Sequence, residues 1–243
     1  MKVFIRPQSF SAISFDLDDT LYDNRPIIQK AEAASQQFLQ QHYPKSKQWQ
    51  LRDWHRLKFD LLKHAPDLRH DTSLARVVML ERGLLMLGYD AEVAKEGANA
   101  VLEQFILYRS QFAVSKEVVE LLYALKQRYR LVGITNGNVD HQRIGLDGIF
   151  EFVLHPGQGV KQKPAKDMFV QAAQRLAIPP VNMLHVGDNA GSDVDGARRA
   201  GCQTVWLNPG FGAIRKATSQ SHLPNIEIDD IQCLARLNEP AVS

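Results

Sequence analysis

The segment Ser11–Tyr22 joins a short apolar run to a cluster of acidic side chains, and this join limits the folds that the chain can adopt. Apolar and small residues alternate up to Phe15, over the length of one buried β-strand. Asp16, Asp18 and Asp19 follow directly. In an open parallel α/β sheet, ligands bind beyond the carboxyl ends of the strands. The segment therefore predicts a parallel sheet with an acidic site at a strand end.

Asp16 and Asp18 lie two positions apart, so at a strand end both side chains can turn toward one ligand. Like charges this close disfavour joint ionisation unless a cation lies between them, and Mg²⁺ would supply that cation. The alternative is a solvated turn or a helix cap, since Asp and Thr are common in both. The segment alone leaves both interpretations open, and Thr20 is expected to shape the turn.

A long helical segment follows the opening strand. Asn24 is expected to cap its first helix, whose first turn holds Pro26. No strand pattern interrupts the segment up to about Tyr108, which predicts an inserted helical unit over residues 24–112. Gly83 is unfavourable inside a helix, by about 1 kcal/mol relative to alanine. The expected helices are Ile27–Gln41, Gln48–Lys63, Ser73–Leu87 and Ala91–Tyr108.

From Ser115 onward helices and strands alternate, which is typical of a parallel sheet with helices on both faces. The sheet unit is therefore expected to comprise residues 1–23 and 113–243. Its expected helices are Ser115–Arg128, Asp140–Leu146, Ala165–Leu176 and Ser192–Ala200, with a short one near the C-terminus. Its later strands are expected at Leu131–Thr135, Phe150–His155, Met183–Asp188, Thr204–Leu207 and Asn225–Ile228.

Charge and composition narrow the function classes. The net charge is +2, from 29 basic and 27 acidic residues, and no Lys/Arg-rich run suggests nucleic acid or an anionic membrane as the partner. Cys202 and Cys233 fit neither a disulfide framework nor a zinc site. No apolar run reaches the roughly 18 residues of a membrane span, and the apolar part of Met1–Pro7 is too short for a signal peptide. We expect a soluble, cytoplasmic protein with a small-molecule ligand and no nucleic-acid or membrane partner.

Polar residues recur where later strands end. Thr135 and Asn136 close one strand, and the glycine after them lets main-chain amides approach an anion such as phosphate. Lys163 precedes Pro164 at an expected helix start, where its ammonium group would neutralise a phosphate and keep a nearby carboxylate ionised. The plainer alternatives are a turn and a surface lysine, and Lys161 is close enough to be confused with Lys163.

A second acidic group follows a later strand. Asp188 falls at the strand tip and Asp193 in the first turn of the next helix. Mg²⁺ prefers oxygen ligands and keeps several waters, so the carboxylates of Asp16 and Asp188 would suffice to bind it. The alternative is a capped helix with an acidic first turn. Three histidines lack a paired ligand spacing and are expected to be packing or surface residues, namely His141, His155 and His185.

Together these residues resemble the motifs of the haloacid dehalogenase (HAD) superfamily of phosphohydrolases, in order and spacing, across residues 11–208. Many members carry glycine where this chain has Asp19, although the Asp-Asp-Thr variant also occurs. The resemblance implies a Rossmann-like parallel sheet with helices on both faces, and an all-helical cap over residues 24–112. The four matching motifs are Phe15–Thr20, Thr135-Asn136, Lys163-Pro164 and Gly187–Asp193.

The resemblance implies a phosphoric monoester hydrolase. Asp16 would be the nucleophile that forms an aspartyl-phosphate, which divides one hard displacement into two easier ones. Asp18 would protonate the leaving alkoxide and later activate water. The phosphate would be bound by Thr135, Asn136 and Lys163.

The resemblance also implies Mg²⁺ as the cofactor. The ion would contact the Asp16 carboxylate, the main-chain carbonyl of Asp18 and the Asp188 carboxylate. Asp193 would support either the waters of the metal or Lys163.

Each alternative function differs from a phosphatase in one feature of the sequence or of the reaction. A dehalogenase of the same fold lacks the second aspartate, because a halide leaves without a proton, so Asp18 favours a phosphatase. A phosphomutase stays open, since the cap decides whether water or a sugar hydroxyl takes the phosphoryl group. A receiver-type signalling module would lack the helical insertion.

Three segments resemble the bacterial HAD members that dephosphorylate 5-amino-6-(5-phospho-D-ribitylamino)uracil, an intermediate of riboflavin synthesis, and often flavin mononucleotide. These segments are Asp16–Pro26, Ile134–Asn138 and Phe150–Leu154. That phosphate ester is the expected substrate, and a nucleotide or sugar phosphate is the alternative. Candidate substrate contacts near the cap are Arg25, Trp49, Trp54 and Arg109.

Overall fold

The computed structural model describes residues 1–211 and 222–238, and within these ranges seven strands form one sheet. The strands are β1 (Lys2–Val3), β2 (Ala12–Phe15), β3 (Arg130–Ile134), β4 (Val153–Leu154), β5 (Met183–Gly187), β6 (Gln203–Leu207) and β7 (Ile226–Ile228). Their order is β1-β7-β6-β5-β2-β3-β4, and every neighbouring pair is parallel except β1 with β7. The predicted α/β fold class is confirmed. The expected core residues 212–221 and 239–243 lie outside the described ranges.

Strand β2, predicted from the opening segment, lies inside the sheet with all four of its residues buried. It pairs in parallel with β3 on one side and β5 on the other. Phe15 lies opposite Gly133 and Val186 in these two strands. Because the chain continues to β3 on one side of β2 and returns to β5 on the other, the strand order reverses here. Ligands bind at such a reversal in open α/β sheets.

Four α-helices occupy residues 24–109, and no strand interrupts them in this fully described part of the chain. They enclose an apolar cluster of their own, in which Leu39, Trp54, Leu84 and Val101 are buried. This separate packing is what an inserted helical unit requires, and the division of the chain at residues 24 and 112 stays a prediction. The helices are α1 (Asn24–His42), α2 (Leu51–His64), α3 (Thr72–Met86) and α4 (Ala91–Arg109).

The start of α1 differs from the sequence prediction. The residue that caps the helix is Asp23 rather than Asn24, because Asp23 Oδ1 accepts a hydrogen bond from the Arg25 N–H at 3.0 Å. Asn24 takes the first helical position, and its N–H donates to Asp19 Oδ1 at 3.0 Å. Asp and Asn are equally good capping residues, so sequence preference does not distinguish them.

Gly83 lies well inside α3, and the helix continues through it. A Cβ at this position would overlap the ring of Trp54. The glycine therefore lets α2 approach α3 closely, and burial of the Trp54 ring offsets the helix cost of glycine.

Helices cover both faces of the sheet, since successive side chains of a strand point to opposite faces. Ile13 and Phe15 belong to one apolar cluster together with side chains of α5 (Lys116–Lys126). Ala12 belongs to a second cluster with side chains of α6 (Asp167–Leu176). Within the described ranges, no helix has both the length and the apolar character needed to cross a bilayer.

Several predicted boundaries in the second half of the chain were wrong. The expected α-helix after Asp188 is a π-helical turn over Ala190–Asp195, followed by the short α7 (Gly196–Arg199). The segment Gln142–Leu146 is also π-helical, with a left-handed φ of 87° at Gly145. Helix α6 begins two residues later than predicted, and β4 is shorter than predicted; near the N-terminus, β1 was not predicted at all. Asn189 Oδ1 accepts hydrogen bonds from the N–H groups of Gly191 and Ser192, which explains the turn after β5, since side-chain capping competes with regular helix.

Candidate active site

Four side chains selected from the sequence lie at one edge of the sheet. Asp16 follows β2, Thr135 follows β3 and Asp188 follows β5, and these three strands are parallel neighbours. Lys163 comes from the loop before α6, and its ammonium group lies 2.9 Å from Asp16 Oδ1. Residues from distant parts of the chain thus meet where the sequence predicts a site.

Lys163 is buried, and its ammonium group has three partners. It donates to Asp193 Oδ1 at 2.7 Å and to the main-chain oxygen of Ile134 at 2.6 Å, and it contacts Asp16. Burial favours the neutral amine, but the two carboxylates outweigh it and raise the pKa of Lys163. The lysine is therefore a fixed positive charge between two acids. Burial also raises the pKa of Asp16, and the Lys163 ammonium opposes that rise.

Asp193 is fully buried, and both of its carboxylate oxygens accept hydrogen bonds. Oδ2 accepts from the Asn189 N–H at 2.9 Å, and Oδ1 faces Lys163 and His185 Nε2, the latter at 3.3 Å. Burial favours the protonated acid, but Lys163 and His185 lower the pKa of Asp193 far below its usual range. Asp193 is thus an ionised group that holds Lys163 in place.

His185 supports this arrangement from inside the sheet. Burial lowers the pKa of His185, so the ring is neutral and one nitrogen accepts a hydrogen bond. With Nε2–H donating to Asp193, Nδ1 accepts from the Ser14 hydroxyl at 2.9 Å. The ring also packs edge-on against Phe169, with 4.9 Å between ring centroids. The expectation of a packing histidine is met, and the hydrogen bond to Asp193 is an addition that the sequence did not indicate.

Asn136 contacts the main chain of Lys163 through both ends of its side-chain amide. Its Nδ2 donates to the Lys163 carbonyl oxygen at 3.0 Å, and its Oδ1 accepts from the Lys163 N–H at 2.8 Å. Asn136 therefore positions Lys163, and its predicted contact with phosphate stays a prediction. Thr135 Oγ1 accepts a hydrogen bond from the Gly137 N–H at 3.0 Å.

Asp18 is held by two donors, one of which comes from the helical segment. The Tyr22 hydroxyl donates to Oδ1 at 2.6 Å, and the Arg109 guanidinium forms a short ion pair with Oδ2. A Cβ on Gly137 would overlap both members of this ion pair, so a larger residue there would displace the two side chains from their present positions. Tyr22 was missed from the sequence, and Arg109 was expected to contact substrate rather than Asp18. Burial raises the pKa of Tyr22, as does the neighbouring Asp18 carboxylate, so the phenol stays a donor.

The structure gives a role to Asp19, which the motif alone leaves without one. Its φ is 59°, in the left-handed region that glycine adopts most easily and that Asp tolerates better than most residues. Its Oδ1 accepts from the Asn24 N–H, and its main-chain oxygen accepts from the Phe211 N–H at 2.6 Å. Asp19 thus shapes the turn between β2 and α1. Thr20 was expected to shape this turn. It is buried, and no described residue forms a hydrogen bond with its hydroxyl.

The donor set fits a divalent cation. Carboxylate oxygens of Asp16, Asp188 and Asp193 all lie within 4.8 Å of one another. Like charges at this distance raise one another's pKa, and a bound cation would relieve that repulsion. Hard carboxylate oxygens are the ligands that Mg²⁺ and similar cations prefer. The residues present can therefore hold a metal ion.

Among the described contacts, none joins the other candidates Arg25, Trp49 and Trp54 to these carboxylates. Arg25 is exposed at the start of α1, and Trp49 packs against the buried Trp54 with 4.9 Å between ring centroids. His155 is exposed, with Nδ1 lying 2.8 Å from the Gly137 carbonyl oxygen. Trp54 is a core residue of the helical segment, the plainer of the two roles expected for an aromatic residue at helical spacing.

Comparison with known proteins agrees with this architecture. The family model described as haloacid dehalogenase-like hydrolase matches residues 10–201, which is most of the chain. The chain belongs to the haloacid dehalogenase-like hydrolases.

Among the curated proteins, the chain is 38% identical to the 5-amino-6-(5-phospho-D-ribitylamino)uracil phosphatase YigB of Escherichia coli K12, over 96% of this chain and 99% of that protein. It is 28% identical to the glyceraldehyde 3-phosphate phosphatase of Methanopyrus kandleri, over 90% of this chain and 92% of that protein. The prediction of a phosphatase of this superfamily is confirmed.

Among the solved structures, the chain resembles a 2-haloacid dehalogenase from Pseudomonas syringae pv. Tomato DC3000. The TM-score is 0.85 at 34% identity, over 94% of this chain and 96% of that one. This likeness confirms the predicted Rossmann-like fold.

Proposed function

We propose that this enzyme hydrolyses 5-amino-6-(5-phospho-D-ribitylamino)uracil, and also flavin mononucleotide, through an aspartyl-phosphate on Asp16 with Mg²⁺ as cofactor. The observation that carries the reaction is the presence of two carboxylates just after β2. Asp16 is held beside Lys163, and Asp18 is held by its own donors. The similarity to YigB over nearly the whole of both chains supports the substrate.

The reaction has two phosphoryl transfers. In the first, an Asp16 oxygen attacks phosphorus, the phosphorus–oxygen bond to the leaving group breaks, and Asp18 gives a proton to the departing alkoxide. In the second, water loses a proton to Asp18 and attacks phosphorus, which releases inorganic phosphate and restores the Asp16 carboxylate. The ammonium of Lys163 and the hydroxyl of Thr135 would stabilise the charge on the phosphoryl oxygens.

The contacts of Asp18 bear on both of its roles. Both of its oxygens accept hydrogen bonds, from Tyr22 and Arg109, and one of these oxygens has to take the proton from water. To act as an acid, Asp18 needs a proton on one oxygen. The Tyr22 hydroxyl can rotate to accept from a protonated Oδ1, whereas Arg109 can only donate and would have to leave a protonated Oδ2. Because Arg109 belongs to α4, the helical segment takes part in this exchange.

We propose residues 24–112 as a cap that closes over the substrate. The polar contacts that join this segment to the sheet unit include the Arg109–Asp18 ion pair and a hydrogen bond from Asn138 Nδ2 to Ser73 Oγ at 3.1 Å. Asp18 and Asn138 each lie close after a strand that ends at the site. The cap would therefore form the wall that the leaving group meets.

Asp16 and Asp188 would hold the Mg²⁺, together with the main-chain carbonyl of Asp18, and Asp193 would support the site. When bound, the ion would neutralise charge on the phosphate and keep Asp16 ionised. The closeness of the Asp16, Asp188 and Asp193 carboxylate oxygens, all within 4.8 Å of one another, supports the assignment.

Removal of divalent metal is expected to abolish hydrolysis, because the clustered carboxylates would then repel both one another and the phosphate. The measurement is phosphate release before and after chelation, followed by addition of Mg²⁺, with KCl at equal ionic strength as the control. Restoration by Mg²⁺ and not by KCl is the expected result. Turnover that persists after exhaustive chelation would contradict the metal assignment.

A dehalogenase is the alternative, since one similar solved structure is described as such. Halide leaves without a proton, so that reaction has no use for a proton donor at Asp18. Here Asp18 lies two residues after Asp16 and is held by its own pair of donors. These contacts favour a leaving group that must be protonated.

A panel of substrates tests the proposed function. It contains the ribitylaminouracil phosphate, flavin mononucleotide, a nucleoside monophosphate, a hexose phosphate and a 2-haloacid, each assayed with Mg²⁺ for phosphate or halide release. The expected result is the highest kcat/KM for the ribitylaminouracil phosphate, measurable turnover of flavin mononucleotide and no halide release. A flat profile across the phosphates would refute the substrate, and halide release would refute the reaction.

A further inference from the structure

Tyr22 lies beside Asp18 at the end of the turn that follows β2. The hydroxyl of Tyr22 donates a hydrogen bond to Asp18 Oδ1 at 2.6 Å, and the main chains of the two residues form an isolated parallel β-bridge. The turn is closed by hydrogen bonds from the N–H groups of Thr20 and Leu21 to the Leu17 carbonyl oxygen, at 3.3 and 2.9 Å. The local fold of the chain therefore sets the phenol against one oxygen of the carboxylate.

The ring of Tyr22 is fixed by packing within the sheet unit. Tyr22 is 6% exposed and belongs to the same buried apolar cluster as Phe15 of β2 and Leu131 of β3. It packs edge-on against Phe112, with 4.7 Å between ring centroids. Because a closely packed aromatic ring has few alternative positions, its hydroxyl offers Asp18 a donor at a fixed place.

The two oxygens of Asp18 have different surroundings. Oδ1 contacts the buried Tyr22 hydroxyl, and Oδ2 contacts the Arg109 guanidinium. Oδ2 also lies against the turn after β3, since a Cβ on Gly137 would overlap it. The same turn contains Thr135, the hydroxyl donor to the phosphoryl oxygens in the proposed reaction. Oδ2 is therefore the oxygen on the side of the reacting phosphate, and the Asp18 side chain is 19% exposed, which leaves room for a leaving group to approach.

We propose that Tyr22 is a positioning residue, which holds Asp18 Oδ1 so that Oδ2 exchanges the proton with the leaving group. A phenol can donate to Oδ1 whether Asp18 is a carboxylate or an acid protonated on Oδ2, because the carbonyl oxygen of the acid still accepts. Arg109 can only donate, so it suits the carboxylate alone and withdraws before Oδ2 carries a proton. The inference rests on the proposed phosphatase function and adds the residue that orients its proton donor.

This role limits the class of substrate for which Tyr22 matters. As the bond between phosphorus and the ester oxygen breaks, its electron pair stays on that oxygen, which takes the proton from Asp18 Oδ2 and leaves Asp18 as a carboxylate. An alkoxide depends on this proton, whereas acetate leaves from acetyl phosphate without one. Tyr22 is therefore expected to favour phosphate esters of alcohols over acyl phosphates.

The test compares two substrates in the presence of Mg²⁺. One is 5-amino-6-(5-phospho-D-ribitylamino)uracil, an ester of a primary alcohol, and the other is acetyl phosphate. The measured quantity is kcat/KM, which reports transfer of the phosphoryl group to Asp16 and excludes the later attack of water, because the leaving group has already departed. The variant is Tyr22→Phe, which removes the hydroxyl and keeps the ring that packs in the core.

In Tyr22→Phe, the ratio of kcat/KM for the alcohol ester to that for acetyl phosphate is expected to fall roughly 10- to 100-fold. A misplaced proton donor forfeits part of the about 10²- to 10⁴-fold that general acid catalysis contributes. Tyr129→Phe is the matched control. The Tyr129 hydroxyl donates to the main-chain oxygen of Leu237 at 2.9 Å, and no described contact joins it to Asp18, so this variant is expected to keep the wild-type ratio.

Removal of the proton donor itself shows whether Tyr22 acts through Asp18. In Asp18→Asn enzyme the ratio is expected to be low already, and the addition of Tyr22→Phe is expected to change it by less than about 2-fold, since residues that act as a unit are not additive. A further fall as large as that in the single variant would show that the hydroxyl acts elsewhere, and would overturn the inference.

The outcomes separate this inference from the function on which it rests. Wild-type enzyme that hydrolyses neither substrate, or acetyl phosphate alone, would refute the proposed function. Wild-type enzyme that hydrolyses both, with an equal fall of both kcat/KM values in Tyr22→Phe, would overturn only the role of Tyr22, because general loosening of the site affects both substrates. An equal fall of the ratio in Tyr129→Phe would overturn it too.

Discussion

Replacement of Asp16 by asparagine is expected to lower phosphatase turnover on the order of 10⁵-fold, the scale seen when a covalent nucleophile is removed. An amide oxygen is a poor nucleophile, whereas the positions of its two heavy atoms match those of a carboxylate. The measurement is phosphate release under saturating substrate and Mg²⁺. Asp16→Asn is expected to keep the fold, because its amide oxygen can still accept from Lys163 at the distance that now separates them, 2.9 Å.

Asp60→Asn is the matched control for this change. Asp60 is exposed on α2, far along the chain from the strand ends, and its replacement is expected to leave turnover unchanged. A thermal melt of each variant would show whether loss of turnover reflects loss of structure. Asp16→Asn enzyme that retains more than a trace of Mg²⁺-dependent activity would exclude the aspartyl-phosphate route.

Lys163→Met is expected to have the largest effect on stability. The variant would remove the ammonium group between Asp16 and Asp193, both buried, and would leave Asp193 with an ionic partner missing. Removal of one partner from a buried ion pair costs about 3–5 kcal/mol in the free energy of unfolding. Turnover is expected to fall at least about 10²- to 10³-fold as well, since a donor to the phosphoryl oxygens is lost.

The free energy of unfolding is measured by urea denaturation without metal, so that no bound cation replaces the lost charge. Lys161→Met is the matched control, because Lys161 is the exposed lysine two positions earlier. It is expected to match the wild type within about 0.5 kcal/mol, as surface substitutions usually do. If Lys163→Met also came within that range, the ammonium group would not be the charge that holds the two acids together.

Much of the site could be predicted from the sequence because several of its residues directly follow the carboxyl ends of β-strands. The strands before Asp16, Thr135 and Asp188 have clear apolar patterns, and their order in the motif places them in one parallel sheet. Parallel strands end at the same edge, so the polar residues after them had to meet. Lys163 was identified by its position in a motif, and its contacts were not evident from local pattern.

Other parts of the site depend on contacts between distant residues. Arg109 is separated from Asp18 by 91 positions, and the last turn of a helix gives no sign of which carboxylate its arginine will meet. Asn136 resembles an ordinary turn residue, yet its amide is taken up by the Lys163 main chain. The capping residue of α1 was mistaken because Asp23 and Asn24 have the same preference.

The sequence by itself determined the fold class, the helical insertion and the edge of the sheet where the carboxylates gather, because apolar periodicity and strand order are local properties of the chain. Only the tertiary structure decided which groups share a hydrogen bond or an ion pair at that edge. Those pairings depend on how side chains from separate elements fill the same space. That packing is a property of the assembled fold and of no single segment.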